Sequence, residues 1–317
     1  MAASQDAASA GEHTPVLYQN VLTALPLRAA GRYIDGTVGA GGHASGILEG
    51  SSPDGVLLGL DRDPQALEIA AKTLIDFPGR FFLRQDSYAQ MDSHADDLGW
   101  DGVDGILLDL GLSSMQLESA ERGFSFQREG PLDMRFDQTA GRSAAELVNE
   151  LDAEALADIL WRYGEERRSR RIARAIEQAR PVTTTTQLAE IVSAAVGRSR
   201  KGIHPATKTF QALRIAVNEE LLMLKRGLEV ATKLLKPGGR MVVISFHSLE
   251  DRIVKHYFRQ ESKDCICPPE TPICVCEHQA QLAVITSKPI RPDKAEIEAN
   301  PRSRSAKMRV AERLPLA

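Results

Sequence analysis

Residues 35–43 read Asp35-Gly36-Thr37-Val38-Gly39-Ala40-Gly41-Gly42-His43, and they set the fold class. The apolar pair Tyr33-Ile34 comes before this stretch, and residues 44–48 follow it with the composition of a helix start. A strand, a glycine-rich turn and a helix form the nucleotide-binding unit of doubly wound α/β folds. Glycine lets the backbone approach a ligand closely, and the helix N-terminus offers free N–H groups. A tight turn without a ligand is the alternative interpretation.

Acidic residues end two of the predicted strands. Residues 56–60 form a continuous apolar run that leads to Asp61, and residues 103–111 form another that contains Asp109. An acidic side chain about 20 residues after the glycines is placed to accept hydrogen bonds from ribose hydroxyls. NAD-binding folds and S-adenosylmethionine (AdoMet) methyltransferases share this feature. Because α/β sheets bind ligands at the carboxyl ends of their strands, we expect Asp61, Asp109 and the glycines to share one site.

Length and composition bound the remaining possibilities. A chain of 317 residues with 43% hydrophobic content is long enough for two domains, and its net charge of −4 excludes a surface that is basic throughout. No apolar run approaches the roughly 20 residues that span a membrane. Residues 1–12 are rich in Ala, Ser and Gly and predict a disordered tail rather than a secretory signal. We therefore expect a cytoplasmic protein without a membrane partner.

A helical region interrupts the pattern of strands. The loop at 113–136 is long and rich in polar and aromatic residues, which is typical of functional loops. A capping box at Ser143 and Glu146 opens helices that extend to residue 196, and a single helix is predicted from the His204 region to Leu235. Basic charge concentrates here, at the positions Arg162, Arg167, Arg168, Arg170, Arg171, Arg174, Arg180, Arg198, Arg200 and Lys201. These residues form either a surface for RNA phosphate or a solvated helix face paired with Glu165, Glu166 and Glu177.

The C-terminal part returns to strands. After a turn at 236–239, a fifth strand is predicted at 240–246 and a helix at 252–260. Residues 281–286 and 306–311 predict two last strands without a good helix between them. Such a pair suits an antiparallel sheet edge, which methyltransferases have and NAD-binding folds generally lack.

All four cysteines lie within twelve residues. Cys265-x-Cys267 and Cys274-x-Cys276 flank a proline pair, and four thiolates can hold one zinc ion. The one-residue spacers are tighter than those of most structural zinc sites. A reduced loop of free thiols is the alternative.

Taken together, these segments resemble the MraW family, the family of ribosomal RNA small subunit methyltransferase H. The resemblance extends from about residue 13 to residue 313. It rests on the motifs at 35–37, 41–43, 60–64, 105–111, 122–126, 130–135 (Gly-Pro-Leu-Asp-Met-Arg), 163–166, 204–207 and 245–252 (Ser-Phe-His-Ser-Leu-Glu-Asp-Arg).

The resemblance implies a class I AdoMet-dependent methyltransferase: a mostly parallel, seven-stranded α/β sheet with an antiparallel edge. It implies a catalytic domain at 13–117 and 221–317 and an inserted all-α substrate-recognition subdomain at 118–220. The family methylates the exocyclic N4 of a cytidine in the decoding region of 16S rRNA within the small ribosomal subunit. By position, AdoMet would contact Gly41, Gly42, His43, Asp61, Tyr88, Asp109 and Gln116, with Tyr88 standing where the family commonly has Phe.

The group that activates the amine is less clear from the sequence. Many amino-methyltransferases carry an Asn/Asp-Pro-Pro-aromatic motif after the fourth strand, whereas this chain has Asp-Leu-Gly-Leu at 109–112. Our candidates for the base pocket are Asp133, Phe246, His247 and Ser248, because an aromatic ring can stack on an extruded base. Our candidates for contacts with RNA phosphate are Lys208, Arg214, Arg167 and Arg171.

Two other functions share part of this pattern. An NAD-dependent oxidoreductase would use the same glycine turn and Asp61. A non-catalytic RNA-binding assembly factor would need only the basic helices. The sequence leaves the oligomeric state open, with a homodimer among the alternatives.

Overall fold

The computed structural model describes residues 15–197, 204–268, 270–271 and 273–315. The predicted tail at 1–12 and the basic residues Arg198, Arg200 and Lys201 lie outside this range. Within it, every helix is too short or too polar to cross a bilayer.

Four segments form the parallel half of a seven-stranded sheet: β1 (Arg32–Asp35), β2 (Val56–Asp61), β3 (Phe81–Gln85) and β4 (Val103–Asp109). β1 pairs in parallel with β2 and with β4, and β3 pairs with the outer side of β2. The three inner strands bury nearly all their side chains, which suits strands covered on both faces. The strands predicted at Tyr33-Ile34, at 56–60 and at 103–111 are confirmed, and the carboxyl ends of all four parallel strands share one edge.

The other half of the sheet contains β5 (Leu235–Ser245), β6 (Leu282–Val284) and β7 (Lys307–Arg313). The strand order is β3-β2-β1-β4-β5-β7-β6, and β7 runs antiparallel to both of its neighbours. This order confirms the antiparallel edge and the class I AdoMet-dependent methyltransferase fold. The predicted turn at 236–239 is a bulge inside β5, where the pairing with β4 is irregular and Gly238 has a φ of 80°.

Thirteen helices accompany the sheet in the described residues. They are α1 (Tyr18–Ala24), α2 (Gly42–Gly50), α3 (Pro64–Thr73), α4 (Met91–Asp97), α5 (Ser114–Glu118), α6 (Ala144–Glu150), α7 (Ala153–Gly164), α8 (Ser169–Gln178), α9 (Thr185–Val196), α10 (Thr207–Asn218), α11 (Glu220–Leu234), α12 (Ser248–Glu261) and α13 (Lys294–Ala299). The sequence analysis expected no helix between the last two strands, but α13 lies there. It begins because Asp293 caps the Glu296 N–H group.

Two apolar cores cover the two faces of the sheet. Successive strand residues alternate between them, because side chains of a strand point to opposite faces. Ile34 belongs to the core that includes α11 and α12, whereas Tyr33 belongs to the core that includes α1 and α2. The same alternation holds for Leu58 and Leu57. The carboxyl edge of the strands is thereby fixed between two packed layers.

A third core belongs to the helices inserted after β4. Its buried side chains come from residues 124–213, within the predicted subdomain at 118–220, and α7 packs against both α8 and α10. Ser143 and Glu146 cap α6 reciprocally, as the sequence predicts. The insertion therefore has an interior of its own and presents a separate surface beside the sheet.

The predicted single helix from the His204 region to Leu235 is wrong. Glu219 adopts a left-handed conformation, with a φ of 53°, and separates α10 from α11. Asn218 fixes this break, because its side-chain amide donates to Met134 O and its Oδ1 accepts the Phe136 N–H. A buried amide bound to a distant loop outweighs the helical propensity of the flanking residues. The hydrophobic periodicity of the sequence does not reveal this break.

The contact between α11 and Tyr88 can be tested by overpacking. A Cβ on Gly227 would lie 2.5 Å from the Tyr88 Cδ2 atom. We expect Gly227→Ala to lower the free energy of unfolding by about 1–3 kcal/mol, although this change inside a helix otherwise stabilises by roughly 0.5–1 kcal/mol. Urea unfolding measures the difference, with Glu229→Ala on the exposed face as control. Unchanged or higher stability would mean that the ring moves aside without cost.

Candidate functional site

The glycine turn is held rigidly against the neighbouring strand ends. Gly39 and Gly41 have φ values of 50° and 86°, which residues with a Cβ rarely adopt. The Thr37 hydroxyl accepts the Asp109 N–H at 2.6 Å, so the turn is tied to the end of β4. We call residues 35–43 together with Asp61 and Asp109 the rim. Its members come from three adjacent parallel strands, as the sequence predicts.

Three carboxylates face one another across the rim. The pKa of Asp35 is raised to about 7, chiefly by burial; His43 and the Thr37 N–H oppose this shift, and the carboxylates of Asp109 and Asp61 add to it. Burial likewise raises the pKa of Asp61 to about 6. Among the described residues, no Lys or Arg side chain forms a hydrogen bond or ion pair with any of the three. The rim therefore holds buried negative charge without a fixed cation.

Backbone groups offset part of the cost of this charge. Asp61 Oδ2 accepts the Gly39 N–H at 3.0 Å, and Asp61 Oδ1 accepts the Asp63 N–H at 2.9 Å. The Asp35 carboxylate accepts the Thr37 N–H at 3.1 Å. These bonds fix the directions of the carboxylates, and each oxygen keeps a further lone pair for a ligand.

His43 and Asp109 have polar atoms without partners. The His43 Nε2 lies 3.6 Å from Asp109 Oδ2, which is too long for a hydrogen bond. Both ring nitrogens of His43 and the Asp109 Oδ1 are buried without a partner in the part of the chain that the structure describes. The His43 ring stacks on Tyr18 at a centroid distance of 5.9 Å. Since native proteins pair most buried polar atoms, this cluster indicates a place for a polar ligand.

Gln116 belongs to a buried hydrogen-bond network. Its Nε2 donates to Asp63 Oδ2 at 2.9 Å, and its Oε1 accepts the Ser113 N–H at 3.1 Å. Arg122 donates to the same Asp63 oxygen at 2.6 Å. The amide of Gln116 thus supports the loop after β4, and its predicted cofactor contact stays a prediction.

Asp63 and Arg122 are site residues that the sequence analysis did not select. Asp63 caps α3 through the Gln65 N–H and also carries the ion pair with Arg122. Arg122 further donates to the carbonyl oxygens of Arg135 and Phe136. In the sequence, the Asp-Pro pair at a helix start predicts that Asp63 caps the helix. It does not predict that Asp63 forms an ion pair with Arg122. The pairing is non-local and leaves no pattern in the sequence.

Tyr88 packs under the glycine turn. A Cβ on Gly36 would lie 2.7 Å from the Tyr88 Cβ, and Gly227 lies against the other side of the ring. Burial raises the pKa of the Tyr88 hydroxyl, and the carboxylates of Glu250 and Glu220 raise it further. Tyr88 therefore contacts Gly36 through its Cβ and Gly227 through its ring, and a contact with the cofactor stays a prediction.

The polar candidates for the base pocket are already engaged. Burial favours a higher pKa for Asp133, but the hydrogen bonds from Arg135 hold the pKa of that carboxyl below its usual range. Arg135 binds both Asp133 oxygens, at 2.8 and 3.0 Å. The His247 Nδ1 caps α12 at the Glu250 N–H, and its Nε2 lies 3.2 Å from Glu250 Oε1. Asp133 thus orients a loop, whereas His247 caps α12 and keeps a buried Nε2 that has no hydrogen-bond partner among the described residues.

Ser248 joins the insertion to the catalytic domain. Its hydroxyl donates to Glu165 Oε2 at 2.9 Å, and Arg252 donates to the other oxygen at 3.0 Å. The hydrogen bond from Arg252, followed by that from Ser248, lowers the pKa of Glu165. Glu165 ends α7 in a left-handed conformation and its carbonyl oxygen accepts the Lys208 ammonium at 2.9 Å. This contact positions the start of α12.

Phe246 is the candidate whose side chain is not engaged in a polar network. It follows β5 directly and is half-buried beside the loop after β4. A Cβ on Gly111 would lie 3.3 Å from the Phe246 Cδ2, and Gly111 has a φ of 102°. The ring therefore lies next to the strand that carries Asp109, at the adjacent strand end.

The candidates for RNA contact separate into two groups. Arg214 has a side chain that is only 14% exposed and binds both oxygens of Glu220 at 2.8 Å, and its contact with phosphate stays a prediction. Lys208 is exposed but donates to Glu165 O, whereas Arg167 and Arg171 are exposed at α8. The carboxylates expected to pair with the basic run bind elsewhere: Glu166 caps the Arg168 N–H and Glu177 accepts the Ala153 N–H.

Two clusters bring together side chains that bind metals. The four cysteine sulfurs lie within 4.8 Å of one another, as do ligand atoms of Glu220, His247 and Glu250. The second cluster is satisfied internally, because Arg214 pairs with Glu220 and His247 lies against Glu250. The sulfurs of the cysteine cluster, by contrast, have no Lys or Arg side chain paired with them among the described residues.

Two grooves on the surface of the described residues do not coincide with the rim. One of about 630 Å³ lies between α11 and α12 and includes Lys233, Arg252 and His256. A smaller one of about 310 Å³ includes Arg62, Gln85 and Ser87, at the carboxyl ends of β2 and β3. We assign the site to the rim rather than to the larger groove, because three unpartnered buried atoms, on His43 and Asp109, cluster at the rim, whereas the larger groove has one, the His278 Nε2.

The profile of the MraW methylase family matches residues 10–314. The chain belongs to the MraW methylase family. It is 53% identical over 305 residues to the ribosomal RNA small subunit methyltransferase H of Thermomicrobium roseum, covering 95% of this chain and 94% of that protein. It is 52% identical over 307 residues to the protein of the same name from Geobacter sulfurreducens, covering 95% and 99%.

Solved structures resemble this chain more distantly. An rRNA methylase from Streptococcus thermophilus has a TM-score of 0.42 at 9% identity and covers 94% of both chains. TrmN from Thermus thermophilus has a TM-score of 0.43 at 12% identity, covering 94% of this chain and 48% of that one. At this level of similarity the strand order, rather than either comparison, carries the fold assignment.

The buried network behind the rim can be tested by removing one partner of an ion pair. We expect Arg122→Met to lower the free energy of unfolding by about 3–5 kcal/mol, because it leaves the Asp63 carboxylate buried and unpaired. The double variant Asp63→Asn with Arg122→Met keeps an oxygen to cap α3 and removes the charge. We expect it to be more stable than Arg122→Met in urea unfolding. If the double variant is as unstable as the sum of the single ones, the two side chains are not coupled.

Proposed function

We propose that this member of the MraW methylase family transfers a methyl group from AdoMet to the exocyclic N4 of a cytidine in the decoding region of 16S rRNA. The names of its relatives support an rRNA substrate in the small ribosomal subunit. The position within the RNA rests on the family resemblance of the motifs at 130–135 and 245–252. We place the reaction in the cytoplasm, where ribosomal particles are assembled.

The charge of the rim is the observation that carries the choice of cofactor. AdoMet bears a sulfonium and an ammonium group against a single carboxylate, so as a net cation it is attracted to the carboxylates of Asp35, Asp61 and Asp109. The unpartnered atoms of His43 and Asp109 provide further polar contacts. NAD would bring a pyrophosphate dianion to the same three carboxylates, and like charges at a buried site repel strongly. The residues therefore fit AdoMet and disfavour a nicotinamide cofactor.

The chemistry sets two tasks for the chain. The N4 lone pair of cytosine is delocalised into the ring, so the amine must be oriented and its proton removed as the N–C bond forms. When bound, AdoMet supplies an electrophilic methyl group and leaves as a neutral thioether. We assign proton acceptance to the free Oδ1 of Asp109, which stands at the end of β4 next to Phe246. We assign the stacking of the extruded base to the ring of Phe246.

The insertion supplies the RNA-binding surface in this proposal. Arg167, Arg170, Arg171 and Arg174 are exposed on or beside α8, and none forms a hydrogen bond or ion pair through its side chain within the described residues. Phosphate contacts of this kind supply affinity without sequence information. The contact from Glu165 to Ser248 and Arg252 then relates this surface to Phe246. Specificity would come from the base pocket and from the shape of the ribosomal particle.

Cofactor affinity should depend on pH in a defined direction. Above their raised pKa values Asp35 and Asp61 are ionised and attract a cation, whereas below these values they are neutral. We therefore expect AdoMet binding to weaken as the pH falls through about 7 and then about 6. Calorimetric titrations on both sides of this range measure the effect.

Two controls sharpen this experiment. S-adenosylhomocysteine lacks the sulfonium charge and should show a weaker pH dependence. Asp61→Asn should weaken AdoMet binding about 10- to 100-fold, the equivalent of about 1.5–3 kcal/mol for a hydrogen bond to a charged group. Affinity that is constant or rises on acidification would contradict the assignment of the rim.

The activity itself is tested on rRNA nucleosides. Mass spectrometry of 16S rRNA from cells lacking this protein should show loss of N4-methylated cytidine. The wild-type chain and the exposed-loop variant Glu270→Gln should restore it, whereas Asp61→Asn and Phe246→Ala should restore it by less than a tenth. Labelled AdoMet offered with free rRNA, assembly intermediates or completed small subunits identifies the substrate.

Other outcomes would support other functions. Persistence of N4-methylated cytidine without this protein would refute the proposed reaction. Full rescue of ribosome assembly by Asp61→Asn, with no methyl transfer by the wild type, would indicate a non-catalytic RNA-binding factor. A nicotinamide difference spectrum on titration with NAD would indicate an oxidoreductase.

A further inference from the structure

The segment between α12 and β6 is held closed without an apolar core. Its two ends are joined because the Gln281 N–H donates to Glu261 O at 2.8 Å and the Ala280 N–H donates to Asp264 Oδ1 at 3.2 Å. The apolar side chains between these ends point to solvent: Ile266, Ile273 and Val275 are 41%, 75% and 77% exposed. Burial of apolar surface therefore cannot account for the conformation of this segment.

The four cysteine sulfur atoms of this segment lie close together, whereas its apolar side chains point to solvent. All four cysteine Sγ atoms lie within 4.8 Å of one another. The Cys274 and Cys276 sulfurs are 3.5 Å apart, and those of Cys276 and Cys265 are 3.8 Å apart. A tetrahedral zinc ion with Zn–S bonds of about 2.3 Å separates its sulfurs by roughly 3.8 Å. A disulfide requires about 2.05 Å, so these contacts are not disulfides.

The backbone around the sulfurs has an approximate twofold arrangement. The residue inside the first Cys-x-Cys pair, Ile266, donates its N–H to Cys276 at 3.4 Å. The residue inside the second pair, Val275, donates its N–H to Cys267 at 3.5 Å. Each pair thus supports the second sulfur of the other pair. Hydrogen bonds from N–H groups to metal-bound sulfurs are the outer contacts that orient ligands and stabilise thiolate charge.

We propose that Cys265, Cys267, Cys274 and Cys276 bind one structural Zn²⁺ that crosslinks the segment between α12 and β6. Four thiolates saturate tetrahedral zinc, so the site has no open position for a substrate or an activated water. The two Cys-x-Cys pairs explain the spacing: each pair spans one edge of the tetrahedron, and the crossed N–H groups relate the two edges. This site is separate from the rim and does not depend on the methyltransferase assignment.

The crosslink would stabilise the neighbouring groove and the edge of the sheet. The segment leads directly into Gln281 and β6, the outermost strand, and Gln281 and His278 line the groove between α11 and α12. Without the metal the ends of the segment remain joined, but the part between them loses its crosslink. We therefore expect metal loss to loosen residues 262–281 while leaving the rim and its AdoMet site intact.

The metal content of the full-length protein tests the proposal. Protein purified without chelator should contain about one zinc ion per chain by elemental mass spectrometry, and cobalt exchange should give the visible ligand-field and thiolate charge-transfer bands of a tetrahedral four-sulfur site. Since the chain has four cysteines in all, thiol titration reports the site directly. A mercurial reagent should release zinc in step with the modification of four thiols.

Variants and controls make the test decisive. Cys265→Ser and Cys276→Ser should lower bound zinc at least fivefold, and Glu270→Gln in the same segment should bind like the wild type. Hydrogen exchange after removal of zinc should increase at residues 262–281, with AdoMet affinity unchanged within twofold. The proposal is overturned if the wild type purifies with less than about 0.2 metal ions per chain and gives no tetrahedral cobalt spectrum. It is equally overturned if the four thiols are found in disulfides, or if zinc remains after all four are changed to serine.

Discussion

Negative charge held out of water at the carboxyl edge of the sheet is the constraint on which the proposed function depends. Asp35 and Asp61 have raised pKa values because of burial, and the chain supplies them with backbone N–H groups rather than with a lysine or arginine side chain. A protein that needed only a stable turn would have no use for this arrangement, because an unpaired buried charge is costly. The arrangement makes sense if a cationic ligand completes it. The same reasoning disfavours an anionic dinucleotide without any appeal to sequence similarity.

Hydrogen bonds connect the helical insertion, with its exposed basic surface, to this edge of the sheet. Two contacts connect the helical insertion with the sheet domain at different points. Glu165 reaches Ser248 and Arg252 at the start of α12, and Arg62, next to Asp61, donates to the Asn218 carbonyl oxygen at 2.8 Å. A shift of the insertion would therefore be felt both beside Phe246 and beside Asp61. In the proposed function, substrate binding and cofactor binding would share these positioning contacts.

Local patterns in the sequence identified most of the architecture. The apolar runs gave the strands, the glycine turn gave the cofactor edge, and Ser143 with Glu146 gave the start of α6. The sequence could not show which side chains that are distant in the chain come into contact in the fold. Arg214 was expected at the RNA surface because it is basic, yet Glu220 beyond the helix break holds it in a buried ion pair. The break at Glu219 depends on Asn218 bonding to a loop more than eighty residues away. Asp63 with Arg122 is a further pairing of this non-local kind.

The most direct measurement of the central claim is the protonation of the rim carboxyl groups themselves. Carboxyl-carbon NMR titration of protein labelled at aspartate can follow Asp35 and Asp61, assigned through their asparagine variants. Without ligand, both should titrate well above ordinary aspartates, near 7 and 6. Saturating AdoMet should lower both pKa values, because a bound cation favours the ionised form. Carboxyl groups that titrate normally in the free protein, or that are unaffected by AdoMet, would contradict the account.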